Sequence, residues 1–416
     1  MRLLSLISVV AYLFVNAALA AEDVANRVTV SGFGTVGYMY SDKPEYGFTR
    51  DLSQPQHDGL RKQLLPDSRL GLQLNYRVSP QFEIAGQLVA RDQADLTLER
   101  SVDWAFAAWH PTPEADLRVG RLGFDVFMLS DYRNVGYAYP WVRPVMEFYS
   151  WMPIYSFDGI DASYAIETSE GRWRIKLLGG RSRARTPSKV NDENYKLFFD
   201  PLWGASLGYE AGPWRAKLSF VSIRFDTQPP TEQLTGYLDI LAASPLPGIN
   251  ADAAHLSRDL TIKGSRSRYA ALGVSYDDNR WLLQTEYSRL SGGPPSVPQG
   301  WRGYLSAGRR FGDFMPFAVT AWARPSSGRE SAATDWSVVP QGPILQSLAI
   351  MAVDVGRIDQ HTASLGVRWD FSNTAALKLQ WDHSWVNGSG WGLWPSANPP
   401  KSGAVNVFTT TVDWVF

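Results

Sequence analysis

The chain has 416 residues, with 40 Lys+Arg against 41 Asp+Glu and no cysteine. The near balance of charge offers no bulk attraction for nucleic acid, and no such partner is expected. The lack of cysteine excludes a disulfide scaffold, thiol catalysis and Cys-ligated zinc, and it suits export through an oxidising compartment.

Arg2, the apolar run Leu3–Phe14 and Ala18-Leu19-Ala20 have the form of a signal peptide cut before Ala21. Residues 1–20 are therefore expected to be removed, and 21–416 to form one domain. No later apolar run reaches the ~20 residues that a spanning helix needs. Residues 344–353 come nearest, and Gln346 and Ser347 interrupt them.

Period two dominates the rest. Leu70, Leu72, Leu74, Tyr76 and Val78 alternate with Arg69, Gly71, Gln73, Asn75 and Arg77. Along a strand such residues lie on opposite faces, one apolar and one polar. Ser79-Pro80 breaks that strand, and Phe82, Ile84, Gly86, Leu88 and Ala90 continue the apolar face in the next, with Glu83, Gln87 and Arg91 opposite. The unit recurs at Trp173, Ile175 and Leu177, and at Trp214, Ala216, Leu218 and Phe220. Leu272, Val274 and Tyr276 lead through a turn to Trp281, Leu283 and Tyr287. Leu305, Ala307 and Phe311 lead to Phe317, Val319 and Ala321, and Leu365, Val367, Trp369 and Phe371 to Leu377, Leu379 and Trp381. Phe408, Val412, Trp414 and Phe416 close the series.

About sixteen such strands, with tight turns alternating with long Pro/Gly-rich connections, point to an all-β transmembrane antiparallel barrel. A strand of ~9–11 residues crosses the membrane when tilted, and lipid cannot satisfy an open sheet edge, so the sheet must close. The 17 Trp and 18 Tyr suit girdles at the two lipid–water interfaces. A soluble β-sandwich or propeller is the competing architecture, but no blade-length repeat is evident.

The start Val28-Thr-Val-Ser-Gly-Phe-Gly-Thr-Val-Gly-Tyr38 and the ending Val412-Asp-Trp-Val-Phe416 resemble Gram-negative outer-membrane porins. So do Leu117–Gly123, Pro140–Pro144, Ser364–Phe371 and Ala376–His383, which are similar to a proteobacterial porin-like group of undefined substrate. The resemblance implies a sixteen-stranded barrel in the outer membrane, a homotrimer, and a third external loop folded into the lumen. It also implies lipid and lipopolysaccharide as surroundings and small hydrophilic solutes as cargo.

Phe124 to Ser156 loses alternation and is the candidate third loop. It carries Asp125, Asp131, Arg133, Arg143 and Glu147 among many aromatic residues. Irregular backbone at membrane depth is tolerated where it lines a water-filled cavity or is buried in protein. With Arg69, Arg77, Arg91, Arg118, Arg121, Arg174, Lys176 and Arg215 from the strands, these are the candidate pore-lining and constriction residues. Further lumen charges are read at Arg172, Lys217, Arg302, Arg310, Arg324, Arg368 and Lys378, and at Glu83, Asp103, Asp161, Glu210, Glu286, Asp370, Asp382 and Asp413. The basic excess on the early strands, opposed by acids of the third loop, predicts a mild anion preference.

The expected function is passive diffusion of small hydrophilic solutes, with no cofactor and no metal. A channel specific for a sugar or an organic anion is the alternative, and Trp385, Trp391 and Trp394 in the last long loop suit ring stacking. A barrel-embedded hydrolase is the other class. It lacks a G-x-S-x-G elbow, and Asp382 and His383, as neighbours in a strand, face opposite ways. Gly32-Phe-Gly34-Thr-Val-Gly37 matches a dinucleotide pattern but lies inside a strand, without the helix that reading requires. Residues 342–357 suit a short helix in an external loop, and 226–265 is a second long connection of unassigned role.

Overall fold

Alternation of side chains builds the whole wall. The structure, a computed structural model, describes residues 27–416 apart from 56–58, 95–96, 188–193, 229–230 and 397–401. The expected signal peptide lies outside the described residues. The strands begin with β1 (Val28–Ser41), β2 (Arg69–Ser79), β3 (Phe82–Arg91) and β4 (Val102–Thr112). They continue with β5 (Ala115–Gly123), β6 (Ser156–Thr168), β7 (Gly171–Pro187) and β8 (Asn194–Ala211). Next come β9 (Trp214–Phe225), β10 (Arg266–Asp277), β11 (Trp281–Ser291) and β12 (Gly300–Arg309). The last four are β13 (Phe314–Pro325), β14 (Ile358–Ser372), β15 (Ala375–Trp391) and β16 (Gly403–Val415). Consecutive strands pair, and β1 joins β16 from Phe33↔Val415 to Ser41↔Val407 as well as β2 from Val28↔Tyr76 to Thr35↔Arg69. The sixteen-stranded antiparallel sheet is thus closed, and a two-residue strand, Lys62–Gln63, adds to β1 at its upper end.

The two ends differ. Residues 80–81, 113–114, 169–170, 212–213, 278–280, 310–313 and 373–374 form tight turns at one end. In one of them the Asp278 carboxylate accepts from the backbone N–H of Arg280 and of Trp281, while Asn279 takes φ 66°. Asn tolerates that left-handed geometry better than most residues. The connections at the other end are mostly long, and they include residues 42–68, 124–155, 226–265 and 326–357.

The outer face is apolar and accessible. Val36, Leu74, Leu177, Leu218, Leu272, Leu305 and Leu365 are all exposed, each in mid-strand. Aromatic pairs ring both ends of this belt. Phe82–Trp109, Trp173–Tyr209, Trp214–Tyr276 and Phe314–Trp369 stand toward the tight turns. Trp203–Phe220, Tyr287–Trp301 and Trp381–Phe408 stand toward the long connections. Such a surface is stable against hydrocarbon, with the amphipathic rings at the interfaces. No helix among the described residues is long and apolar enough to cross a membrane.

Gly32 and Gly34 sit on this outer face, beneath the last strand's aromatics. A Cβ at either would come within 2.3 Å of the Phe416 ring or 2.1 Å of the Trp414 ring. The dinucleotide-like spacing is thus a packing groove across the seam that closes the barrel.

One strand departs from the expected facing. Phe317, Val319 and Ala321, expected on the apolar outer face, are buried inside with Met315 and Ala323. Thr320, Trp322 and Arg324 of β13 take the outer side, so Arg324 does not line the lumen as expected. The reason is a neighbour the periodicity does not show: a short helix, α2 (Met146–Tyr149), packs on the inner face of β12 and β13. Apolar residues there face protein rather than water.

Among the described residues, five α-helices lie in the connections: α1 (Leu98–Ser101), α2, α3 (Glu232–Ala242), α4 (Ile249–Leu260) and α5 (Gly342–Asp354). The last three share a small core of Leu238, Ala253, Leu256, Trp336, Ala349 and Val353. They form a helical cap at the long-connection end. The helix expected in 342–357 is present, and the connection 226–265 supplies the other two.

Leu272 stands at mid-belt, so Leu272→Arg is expected to destabilise the folded barrel by about 2–4 kcal/mol, the cost of a cation at the bilayer midplane. Urea unfolding in lipid vesicles measures it, and an unchanged midpoint contradicts the lipid-facing assignment.

Candidate functional site in the barrel interior

The polar face of the strands meets segment 124–155, and the two are stitched together around the circumference. On the β7–β9 side, Lys176 Nζ donates to Asp125 Oδ2 at 2.5 Å and Lys217 Nζ donates to Asp125 Oδ1. Burial opposes ionisation of Asp125, yet these two ammonium groups hold its carboxyl well below the usual carboxylate range. On the opposite side, Arg143 reaches three partners. Its Nη2 donates to Asp67 Oδ2 at 2.6 Å and to Thr409 Oγ1 at 2.5 Å, and Nη1 donates to Asp382 Oδ2 at 2.9 Å. The Arg143 guanidinium is 2% exposed and the Asp67 side chain 1%.

Between these clamps lies an aromatic core. Trp141 donates through Nε1 to Ser306 Oγ at 2.9 Å, Tyr149 donates to the Glu286 carboxylate, and Tyr304 donates to the same Oε1 at 2.7 Å. Phe148 and Tyr149 pack edge-on against one another, and Phe148 packs likewise on Tyr304. Glu147 is 1% exposed; its Oε1 accepts from Gln360 Nε2 at 2.7 Å and from the Thr362 hydroxyl. Burial pushes the Glu147 carboxyl up, although these two donors pull it the other way. Tyr137 OH donates to the backbone carbonyl of Asn373, in a tight turn, at 2.8 Å. The segment therefore touches residues from the long-connection end down to the tight-turn end.

Several expected residues hold this segment. Arg69 donates through Nε to the Asn134 carbonyl at 2.6 Å and through Nη2 to Tyr139 OH at 2.9 Å. Arg91 donates to Asn134 Oδ1, and Arg133 to the Ile154 carbonyl. Both guanidinium groups lie over the Tyr155 ring, at 3.5 and 3.3 Å from its centroid. Arg118 is paired with Asp161 at 2.8 and 2.5 Å, and Arg174 with Asp116 at 3.2 Å. Arg215 and Asp131 are exposed, and Arg77 is exposed opposite Glu83 near a tight turn. Arg121, expected on the pore wall, lies on the outer face instead. It pairs with Asp158 at 3.0 Å, in register with Arg181 of β7, whose alternate residues include the lipid-facing Leu177.

The expected transverse field is largely closed into ion pairs. Asp125 bonds directly to the basic wall, Glu147 faces neutral donors, and Lys378 is buried against Asp413 at 3.1 Å. Sequence reasoning passed over Arg50, Asp51 and Asp67 of the first long connection. Arg50 donates to the Arg133 carbonyl at 2.8 Å, and Tyr155 donates to Asp51 Oδ2 at 2.5 Å. No periodic signal marks them, because they lie in irregular chain. Asp382 faces inward to Arg143, while His383 contacts Asn406 and the outer Trp385 ring. Trp391, expected in the last long loop, ends β15, and Trp385 lies within that strand. His255, Asp259 and Glu330 place donor atoms within 4.8 Å of one another at the cap, a grouping that no local spacing announces.

Two substitutions probe this packing. Arg143→Met leaves two buried carboxylates without their cation and is expected to cost about 3–5 kcal/mol, read as a lower urea midpoint. Glu147→Gln keeps the acceptor but not the charge. Because the folded carboxyl titrates above the ordinary value, its stabilising neutral form is present at low pH and lost as pH rises. Glu147→Gln is therefore expected to be more stable than the parent at pH 8 and no more stable at pH 4; the reverse order contradicts the assignment.

No family model matches the chain, and no curated protein does. Solved structures match over nearly its whole length. An anion-selective porin from Comamonas acidovorans aligns with TM-score 0.52 and 13% identity, over 94% of this chain and 99% of that one. Salmonella typhi OmpF, in complex with daunomycin, gives 0.51 and 11%, over 95% and 99%. OmpT, an outer membrane protein of Vibrio cholerae, gives 0.51 and 12%, over 96% and 99%. At such identities the likeness lies in the fold, and this chain has the fold of the outer-membrane porins.

Proposed function

We propose that the chain is a porin of a Gram-negative outer membrane, exported by its signal peptide, through which small hydrophilic solutes diffuse passively. Segment 124–155 is read as the inward-folded third loop, which narrows the lumen. The observation that carries this reading is the inversion of polarity: exposed Leu and aromatic side chains cover the outside, while charged residues and hydrogen-bonded aromatics fill the inside. A soluble β-protein distributes them the other way. Polar residues that remain half-buried or exposed on the inner face, among them Gln73, Asn75, Arg118, Asp131, Arg174 and Arg215, support a solute path beside the segment. A mild anion preference rests on the basic excess of the early strands, with Arg215 exposed and Arg118 and Arg174 accessible beside their carboxylate partners. The homotrimer and lipopolysaccharide contacts rest on the sequence resemblance. The opposed directions of Asp382 and His383 disfavour a hydrolytic dyad.

Planar-bilayer recording in a KCl gradient tests the reading. We expect stepwise conductance with an anion-sign reversal potential, reduced when Arg174 and Arg215 are both changed to Gln. Shortening the loop by residues 131–140 is expected to raise single-channel conductance severalfold. A cation-sign potential contradicts the selectivity, and silence from folded, heat-modifiable protein contradicts the channel.

A further inference from the structure

The barrel interior changes character above segment 124–155. Between that segment and the helical cap lies a chamber of about 620 Å³. Its floor includes Trp151 and Ile154, its wall Phe199 of β8 and Phe225 of β9, and its roof Leu348 and Met351 of α5. Asp354 is the one charged side chain among the described residues that line it. Deeper in the barrel, by contrast, Arg, Lys and Asp side chains pair repeatedly.

The roof helix supplies a second observation. Ala349 and Val353 of α5 close the core of the cap, at 0% and 2% exposure. Leu348 and Met351 lie on another side of the same helix and remain 44% and 42% exposed. A helix on a polar cap needs one apolar stripe to pack; this one carries apolar residues beyond that stripe, and they line the chamber. A pocket of a few hundred Å³, mainly apolar with few polar groups, is the form of a small-molecule site. An apolar cavity holds apolar guests in preference to water.

We propose that this chamber binds a small, uncharged, mainly apolar molecule at the long-connection mouth of the barrel. The near absence of charge in the lining disfavours ions. The volume disfavours a polypeptide partner. The ligand of such a chamber differs in class from freely diffusing hydrophilic solutes. Binding is independent of conduction, and the two are measured separately.

Indole serves as the probe. Equilibrium binding to the full barrel in nanodiscs, with empty nanodiscs subtracted for lipid partitioning, is expected to saturate at one site, while glucose gives no saturable signal. Leu348→Lys places a charge in the roof, and Ala352→Trp fills the chamber without one. Both substitutions are on the cap helix, outside the strands. Each is expected to weaken indole binding at least tenfold while leaving the bilayer conductance of the parent in place. Absence of saturable binding overturns the proposal, as does binding that both variants leave unchanged. Loss of conductance in the parent speaks against the channel reading alone.

Discussion

Backbone hydrogen bonding in hydrocarbon is the constraint on which the rest depends. Each peptide N–H and C=O that faces lipid must find its partner within the protein, since lipid offers none. A sheet meets that demand when its first and last strands pair, and here Phe33–Ser41 and Val407–Val415 do so. The seam needs its own packing: Gly32 and Gly34 leave room for Phe416 and Trp414 to lie flat across it. Closure then fixes the facing of every strand, because side chains alternate without exception unless a bulge intervenes.

From that facing the two surfaces acquire opposite chemistry. The outside carries Leu, Val and aromatic residues that in water would be a liability and in lipid are the natural cover. The inside must dispose of charges in a confined space. It does so by pairing them, Asp125 with Lys176 and Lys217, and Arg143 with Asp67 and Asp382. Pairs as buried as Arg143–Asp67 are weak evidence for net stability, since desolvation offsets much of the attraction. Their effect here is positional. Opposite walls of the barrel hold the same segment, so its aromatic core has one register against β11, β12 and β14.

Much of this architecture is legible in the sequence, because strand facing is a local property. The alternation from Arg69 to Val78 and from Trp173 to Leu177 translates directly into wall and belt. The departures share one cause: a neighbour distant in sequence. Phe317, Val319 and Ala321 look lipid-facing by composition, but α2 turns the inside of β13 into a protein core. Arg121 looks like a pore charge because it is basic and near the third loop, yet its register with Asp158 and Arg181 carries it outside. Asp67 and Arg50 lie in irregular chain where period carries no information. The apolar chamber is assembled from eight separate stretches of chain, and no one of them is distinctive alone.

The central proposal is that segment 124–155 occupies the lumen and sets what passes. The chain has no cysteine, so a pair introduced at Glu147 and Thr362 can be joined by a short bifunctional thiol reagent without background. The account predicts efficient crosslinking in the membrane-inserted barrel, within one chain and without loss of heat-modifiability. Failure to crosslink, while a pair at Thr362 and Ser384 on adjacent strands reacts fully, would show that the segment lies away from the wall and would contradict the account.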